Sequence, residues 1–218
     1  MAIPKNTALR KSFISRYDNG RLLLMDYIGY HPSIISSLIN YNIPNNETIY
    51  EHLAKKYFKK EEVNSEDITH IKKVAMYYFY GDTLRDSTQI EYFELVEELK
   101  NKYWELYKKN GYIETKLYKR KLSKNLLGDI SRGRLFAYLI QAMETEYNIQ
   151  VINECVEYCK YTFIIPILYI YDSILFDISK DISNNQIKGL KNILEGNHFK
   201  VRTYIGNNYG DLLLEKSL

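Results

Sequence analysis

"LYIYDSILFD", residues 168–177, sets an aspartate inside an apolar and aromatic run. Leu168, Ile170, Ile174, Leu175 and Phe176 read as buried strand, yet Asp172 stands among them between Tyr171 and Ser173. A carboxylate taken out of water is strongly destabilising unless a partner, hydrogen bonds or a metal offset the loss. The stretch therefore predicts two strands, "TFIIPILYI" and "SILFDIS", flanking Tyr171-Asp172, with a special duty for Asp172.

"GRLLLMDY" (20–27) repeats that context, a short apolar run ending in Asp26 and Tyr27. If the two strands pair, their carboxylates converge on one edge of a sheet. Like charges held that close raise each other's pKa unless a cation lies between them. Two hard oxygen ligands together with polyphosphate oxygens suit Mg²⁺, and two-metal phosphoryl transfer uses such a pair of carboxylates. Residue type alone leaves a second role open for Asp26, capping the helix that follows.

Helical signals fill the spaces between. "HPSIISSLINY" (31–41) turns helical with Pro32 in its first turn. "NNETIYEHLAKKYFKK" (45–60) opens on an Asn or Thr cap with an early glutamate. "SEDITHIKKVAMYYFYG" (65–81) has a Ser65 cap, acids in its first turn and Gly81 at its end. "STQIEYFELVEELKNKYWELYKKNG" (87–111) is a long amphipathic helix stopped by Gly111. "YIETKLYKRKL" (112–122) alternates like a strand or hairpin and ends basic, and another long helix covers 130–160. After the opening stretch, "NNQIKGLKNILEG" reads as a helix and "FKVRTYIG" as a closing strand. Helices alternating with a few buried strands make the class α+β.

The 218 residues suit one large domain or two small ones. Thirty Lys and Arg against 27 Asp and Glu leave a net charge of +3, weaker than a dedicated nucleic-acid binder shows. A polyanion site must then come from local clustering. The 22 tyrosines, beside many Asn, Ile and Lys, read first as the coding bias of an AT-rich genome and only second as an aromatic binding surface. Cys155 and Cys159 read as free thiols in a reducing compartment. The four histidines form no metal-spaced pair. No signal peptide is recognisable, and no apolar run approaches the ~20 residues needed to span a bilayer. A cytoplasmic chain is expected.

In order along the chain, seven segments resemble the polymerase domain of family A DNA polymerases, in a phage-like form. "IPKNTALRKSFIS" (3–15) is similar to the segment before the first catalytic strand. "LLLMDY" (22–27) resembles motif A, "IKKVAMYYFYG" (71–81) motif B on the fingers helix, and "YIYDSILFD" (169–177) motif C. "GYIETKLYKRK" (111–121) is similar to the glycine-aromatic hairpin after the fingers. "RLFAYLIQAMETE" (134–146) resembles the helix whose glutamine touches the primer end, and "VRTYIGNNYGDL" (201–212) the closing strand. The resemblance implies a palm of a small antiparallel sheet backed by helices over 1–43 and 111–218, with helical fingers over 44–110. It implies template-directed nucleotidyl transfer from dNTP to a primer 3′-OH, using two Mg²⁺ ions for which Mn²⁺ can substitute. Asp26 and Asp172 become metal-binding catalytic residues, with Tyr27 lending its backbone carbonyl. Lys73 and Tyr77, or Lys72 in the neighbouring register, serve the nucleotide together with His31 and Tyr30. Arg10, Gln141, Arg134 and Tyr171 serve the primer-template DNA.

Three departures qualify the resemblance. The family's glutamate five residues after the motif A aspartate, which helps exclude ribonucleotides, is His31 here. His31 is either the sugar gate or a packing residue before Pro32, and Tyr30 beside it offers an alternative ring. Motif C commonly reads His-Asp-Glu, whereas Tyr171-Asp172-Ser173 lacks the second acid. In motif B the family spaces a basic residue, a lysine and an aromatic at i, i+4 and i+8 along one helix face. The Lys73 register is the expected one, because it reaches the aromatic Tyr77 although it starts at Thr69, whereas the Lys72 register reaches Met76. Two adjacent lysines also fit a merely solvated helix face.

"YGDTLRDS" (80–87) is similar to a family B motif, but its place after a helix end makes Asp82 and Asp86 turn and cap residues. Family members carry a thumb, and commonly a proofreading domain, before the segment where this sequence starts. The expectation is an excised palm-and-fingers piece or one subunit of a split polymerase, partnered by a thumb or exonuclease subunit. The alternative is a catalytically idle fragment that binds nucleic acid or a partner.

Overall fold

The computed structural model describes residues 8–81, 90–196 and 199–215. The chain runs α1 (Ala8–Lys11), β1 (Arg21–Tyr27), α2 (Tyr30–Ile39), α3 (Ile49–Phe58), α4 (Ser65–Tyr80) and α5 (Glu91–Asn110). It continues through β2 (Tyr112–Glu114), β3 (Lys121–Ser123), α6 (Lys124–Leu127), α7 (Arg132–Cys159), β4 (Ile164–Ile170) and β5 (Ser173–Ile178). The last elements are α8 (Asn184–Glu195), β6 (Val201–Gly206) and β7 (Leu213–Leu214). The fold is α+β, as the periodicities predict. Two compact units divide it: Met1–Ile28 with Asn148–Leu218, and Gly29–Tyr147.

The first unit is built on a five-stranded sheet of order β4-β5-β1-β6-β7, antiparallel at every junction. The stretch 168–177 is therefore a hairpin, with Tyr171 and Asp172 in its turn. β1 lies at the centre, and every residue of β5 is buried. Leu22, Leu175 and Tyr209 form one apolar cluster, to which Phe13 and Leu212 add from the flanking segments. Leu23, Met25, Ile174, Phe176 and Ile178 alternate onto the opposite face and are buried too. α8 packs against β6. It also approaches the last part of α7 closely, because a β-carbon on Gly189 would meet the Tyr158 hydroxyl at 2.4 Å.

The opening stretch does hold a buried carboxylate, but it is not Asp172. Asp172 is exposed at the turn, whereas Asp177 is 2 % exposed inside β5. Asp177 accepts from Ser15 Oγ at 2.6 Å, and from the Arg16 backbone N–H and Nε at 3.1 Å each. Three donors, one of them cationic, offset its desolvation. The expectation that Asp172 is embedded in a buried run is thus corrected. Two residues of turn suffice to lift it into solvent.

The second unit holds α2 to α6, the β2–β3 hairpin and the first part of α7. Between residues 44 and 110 the elements of the described residues are all helices. Gly29 starts α2 with φ 62°, and a β-carbon there would meet Ile49 Cγ2 at 2.5 Å, so both conformation and space require glycine. Thr48 and Glu51 form a capping box on α3. On α4 the cap is Asn64, paired with Asp67, one residue earlier than the expected Ser65. α5 ends at Gly111, in the left-handed region at φ 77°. Asp82, Asp86 and the expected helix start at 87–89 lie outside the described residues. Cys155 and Cys159 are buried free thiols, and burial above all pushes them up to about 12 and about 11, so neither is a thiolate at neutral pH.

Candidate active site

Asp26 is the next-to-last residue of the central strand. Its register partners are Ser173 in β5 and Arg202 in β6. One residue on, the Tyr27 backbone N–H donates to the Asp172 carbonyl at 2.9 Å. Strand pairing therefore brings Asp26 and Asp172 to the same end of the sheet, where facing Cα atoms are about 4.5–5.5 Å apart. Asp26 does not cap α2, whose cap is Gly29 with no side-chain cap bond. The Tyr27 ring turns into the core, edge-on to Phe199 at 5.7 Å, and leaves its backbone at the sheet end.

A short network shapes the turn that carries Asp172. Tyr171 sits at φ 52°, a left-handed conformation unusual for an aromatic residue, with its side chain 66 % exposed. Asn148, 1 % exposed, donates through Nδ2 to the Tyr169 hydroxyl at 2.6 Å and reaches the Tyr171 carbonyl at 3.5 Å. The Ser173 hydroxyl donates to the Ile170 carbonyl at 3.0 Å. Where the resembled motif has a second acid, this chain has a hydroxyl that closes its own turn.

Among the described residues no group of three or more His, Cys, Asp or Glu could hold a metal ion. Two carboxylates at one sheet end, Asp26 and Asp172, suit Mg²⁺, which takes one or two carboxylates and fills its remaining positions with water and substrate phosphates.

The other candidate residues lie in the second unit, apart from Arg10, whose guanidinium stands 4.4 Å above the Tyr209 ring in the first. Tyr30 is buried, so of the two neighbours only His31 keeps a partly exposed ring. His31 Nε2 lies 2.5 Å from Glu144 Oε2, and its Nδ1 hydrogen-bonds with the Tyr80 hydroxyl. Ile71, Ala75, Tyr78 and Phe79 form the buried face of α4, while Lys72, Lys73, Met76 and Tyr77 are exposed. Lys72 Nζ stands 5.2 Å above the Tyr50 ring. Arg134 and Gln141 are both exposed on α7, two turns apart on one face.

Four positions that matter here carried no signal in the sequence reading. Arg202 becomes Asp26's cross-strand neighbour only through register. Asn148 and Glu144 sit in a long helix without marked periodicity. Lys100, 2 % exposed, donates to the Tyr78 and Gly81 carbonyls and to Glu97 at 2.6, 2.9 and 2.8 Å. It thereby satisfies the C-terminal carbonyls of α4, the turn that carries Tyr80.

No protein-family model matches the sequence, and no curated protein is found similar to it. Among solved structures, the fold is similar to the POL domain of Pol1 from M. smegmatis in complex with DNA primer-template and dNTP. The TM-score is 0.79 at 16 % identity, over 95 % of this chain and 44 % of that one. The chain thus spans less than half the length of that structure. The likeness is one of fold, a polymerase-like combination of helices and a small antiparallel sheet. Among the described residues no helix is long and apolar enough to cross a membrane.

Proposed function

We propose that this chain is the palm-and-fingers part of a family A, phage-like DNA polymerase. It transfers nucleotides from dNTP to a primer 3′-OH under template direction. The observation that carries the reading is the meeting of Asp26 and Asp172 at one sheet end, tied by the Tyr27 N–H to the Asp172 carbonyl. Residues 1–43 and 111–218 act as palm and 44–110 as fingers, a functional division that cuts the chain elsewhere than its compact units do.

Asp26, Asp172 and the Tyr27 carbonyl would hold two Mg²⁺ ions, or Mn²⁺ in their place. Bound there, the metal supplies positive charge for the attacking and leaving oxygens of the transferred phosphoryl group. The chain's own residues orient the reactants. Arg10, Arg134, Gln141 and Tyr171 hold the primer-template. The primer hydroxyl loses its proton to solvent and its oxygen bonds to the α-phosphorus as the bond from that phosphorus to the bridging oxygen breaks, so that pyrophosphate departs.

Geometry favours one α4 register for the nucleotide. His31 meets Tyr80, and Tyr80 lies two turns beyond Lys72 on one face of α4, past Met76, which supports the Lys72 register over the expected Lys73–Tyr77 one. Lys72 then contacts triphosphate oxygens as a point charge. Lys73 and Tyr77 flank it one position round the helix. His31 serves as the sugar gate.

Primer extension with a labelled primer-template, dNTPs and Mg²⁺ tests the reading. The parent chain extends, and the double variant Asp26→Asn with Asp172→Asn does not. Equal extension by both would remove the two aspartates from the chemistry. The Ser173 hydroxyl, engaged by Ile170 in the acid's place, favours a second reading, an idle fragment that binds nucleic acid. Binding of primer-template without any extension would select it.

A further inference from the structure

His31, where the resembled family has a glutamate, is gripped at both ring nitrogens. Nε2 meets Glu144 of α7 at 2.5 Å and Nδ1 meets the Tyr80 hydroxyl of α4, all within the unit Gly29–Tyr147. An ionised carboxylate only accepts hydrogen bonds, so the proton belongs on Nε2. Burial, with smaller contributions from Tyr50 and Glu144, raises the Tyr80 hydroxyl well above its usual pKa, so it stays a phenol and a donor. In the neutral ring, Nδ1 then accepts that O–H. The Tyr80 ring also stands edge-on to the imidazole, with centroids 6.0 Å apart. Both polar atoms of the imidazole are thereby used inside the protein, and what it has left to present is a carbon edge.

That changes how the ring can discriminate. An imidazole with a free nitrogen would welcome a 2′-hydroxyl, because the hydroxyl would exchange a bond to water for one to nitrogen. A carbon edge takes water from the hydroxyl and returns no bond, and a hydroxyl left unpaired is strongly disfavoured. Resting on the polymerase reading above, we propose that Glu144 and Tyr80 are positioning residues that lock His31 as a gate against ribonucleotides that offers the 2′-hydroxyl no hydrogen bond. Sugar selectivity would then be set by three residues from three helices, with the carboxylate moved from the motif A segment to α7.

Two measurements test this. The first is competing dNTP and rNTP incorporation opposite one template base by Glu144→Ala, Tyr80→Phe and Glu144→Gln. Losing one hydrogen bond to the ring should raise relative rNTP use about fivefold in Glu144→Ala and Tyr80→Phe. The gain should appear as a lower KM for rNTP. Glu144→Gln, which keeps an acceptor at the same reach, should retain most of the selectivity. The second measurement is ¹⁵N-histidine NMR, which needs no catalysis. The parent should show His31 protonated at Nε2, with that proton slow to exchange in the parent and fast in Glu144→Ala. An unchanged dNTP-to-rNTP ratio in Glu144→Ala, with extension intact, overturns the locked gate and leaves the polymerase reading standing. His31 found protonated at Nδ1 and bare at Nε2 overturns the grip itself. A parent chain that extends no primer overturns the polymerase reading and the gate with it.

Discussion

Asp172 and Asp177 sit five residues apart in one hairpin, and the fold treats them in opposite ways. Asp177 is buried in β5 with three donors on its two oxygens, from Ser15 and Arg16. Asp172 is exposed in the turn, and the groups around it hold its backbone: Tyr27 on its carbonyl, with Asn148 on the turn beside it. One carboxylate joins the first segment of the chain to the sheet. The other lies exposed in a turn whose backbone Tyr27 holds. Burial alone therefore does not mark a functional acid. On the proposed reading, the functional acid is the one with a fixed backbone beneath an exposed charge.

Exchanging each acid for its amide should separate these roles most sharply. Asp172→Asn, and likewise Asp26→Asn, should slow primer extension by about a hundredfold or more, because a charged metal ligand is lost. Their denaturant midpoints should stay near the parent's. A fall in stability as large as the fall in rate would return Asp172 to a structural role.

Asp177→Ala should do the reverse. Removing one partner of a buried ion pair costs roughly 3–5 kcal/mol, and Arg16 is itself well exposed, so about 3 kcal/mol is expected. Urea unfolding measures this directly. A loss below about 1 kcal/mol would mean that Ser15 and Arg16 contribute little to holding the first segment.

Asn148→Ala should fall between the two. The lost bond to the Tyr169 hydroxyl is worth about 1–2 kcal/mol. Its diagnostic is local: amide exchange at Tyr27, whose N–H binds the Asp172 carbonyl, should accelerate more than exchange at Leu23. Equal acceleration at both would show a global loss in place of a loosened turn.

The smallest contrast lies on α4. Lys72→Ala should raise the apparent KM for dNTP several-fold, consistent with about 1 kcal/mol for one exposed charge, and Lys73→Ala should raise it less. The opposite order in steady-state kinetics would move the nucleotide to the Lys73–Tyr77 row.

Much of the fold was legible in the sequence because periodicity is local. The helices α2 to α5 and α8, the β2–β3 hairpin and the strands flanking Tyr171-Asp172 follow from apolar spacing and from Gly111 and Gly81 as stops. The cap of α4 was misread by one residue, because Asn64 and Ser65 are both good caps and only geometry chooses between them. What stayed hidden is non-local or conformational. Tyrosine gives no warning of a left-handed turn, so Asp172 looked embedded in its strand. Ser15 and Arg16 lie more than 160 residues before Asp177, and no spacing rule connects them. Glu144 was invisible as His31's partner for the same reason. That Asp26 and Asp172 meet at one sheet end could be guessed from two similar contexts, but the strand register, and with it Ser173 and Arg202 as Asp26's partners, could not.

The central place of β1 has a consequence for synthesis. Both of its neighbours, β5 and β6, are made after the whole of Gly29–Tyr147, so on the ribosome the strand "LLLM" waits without a partner. At usual translation speeds the gap from Tyr27 to Ser173 lasts on the order of ten seconds, long enough for an unpaired apolar strand to find a wrong mate. Arg21 and Asp26 bracket that run with opposite charges, the placement by which sequences discourage such mating. On this argument Asp26 would guard the nascent strand before the sheet exists. Neutralising it should lower soluble yield even where the finished protein is no less stable.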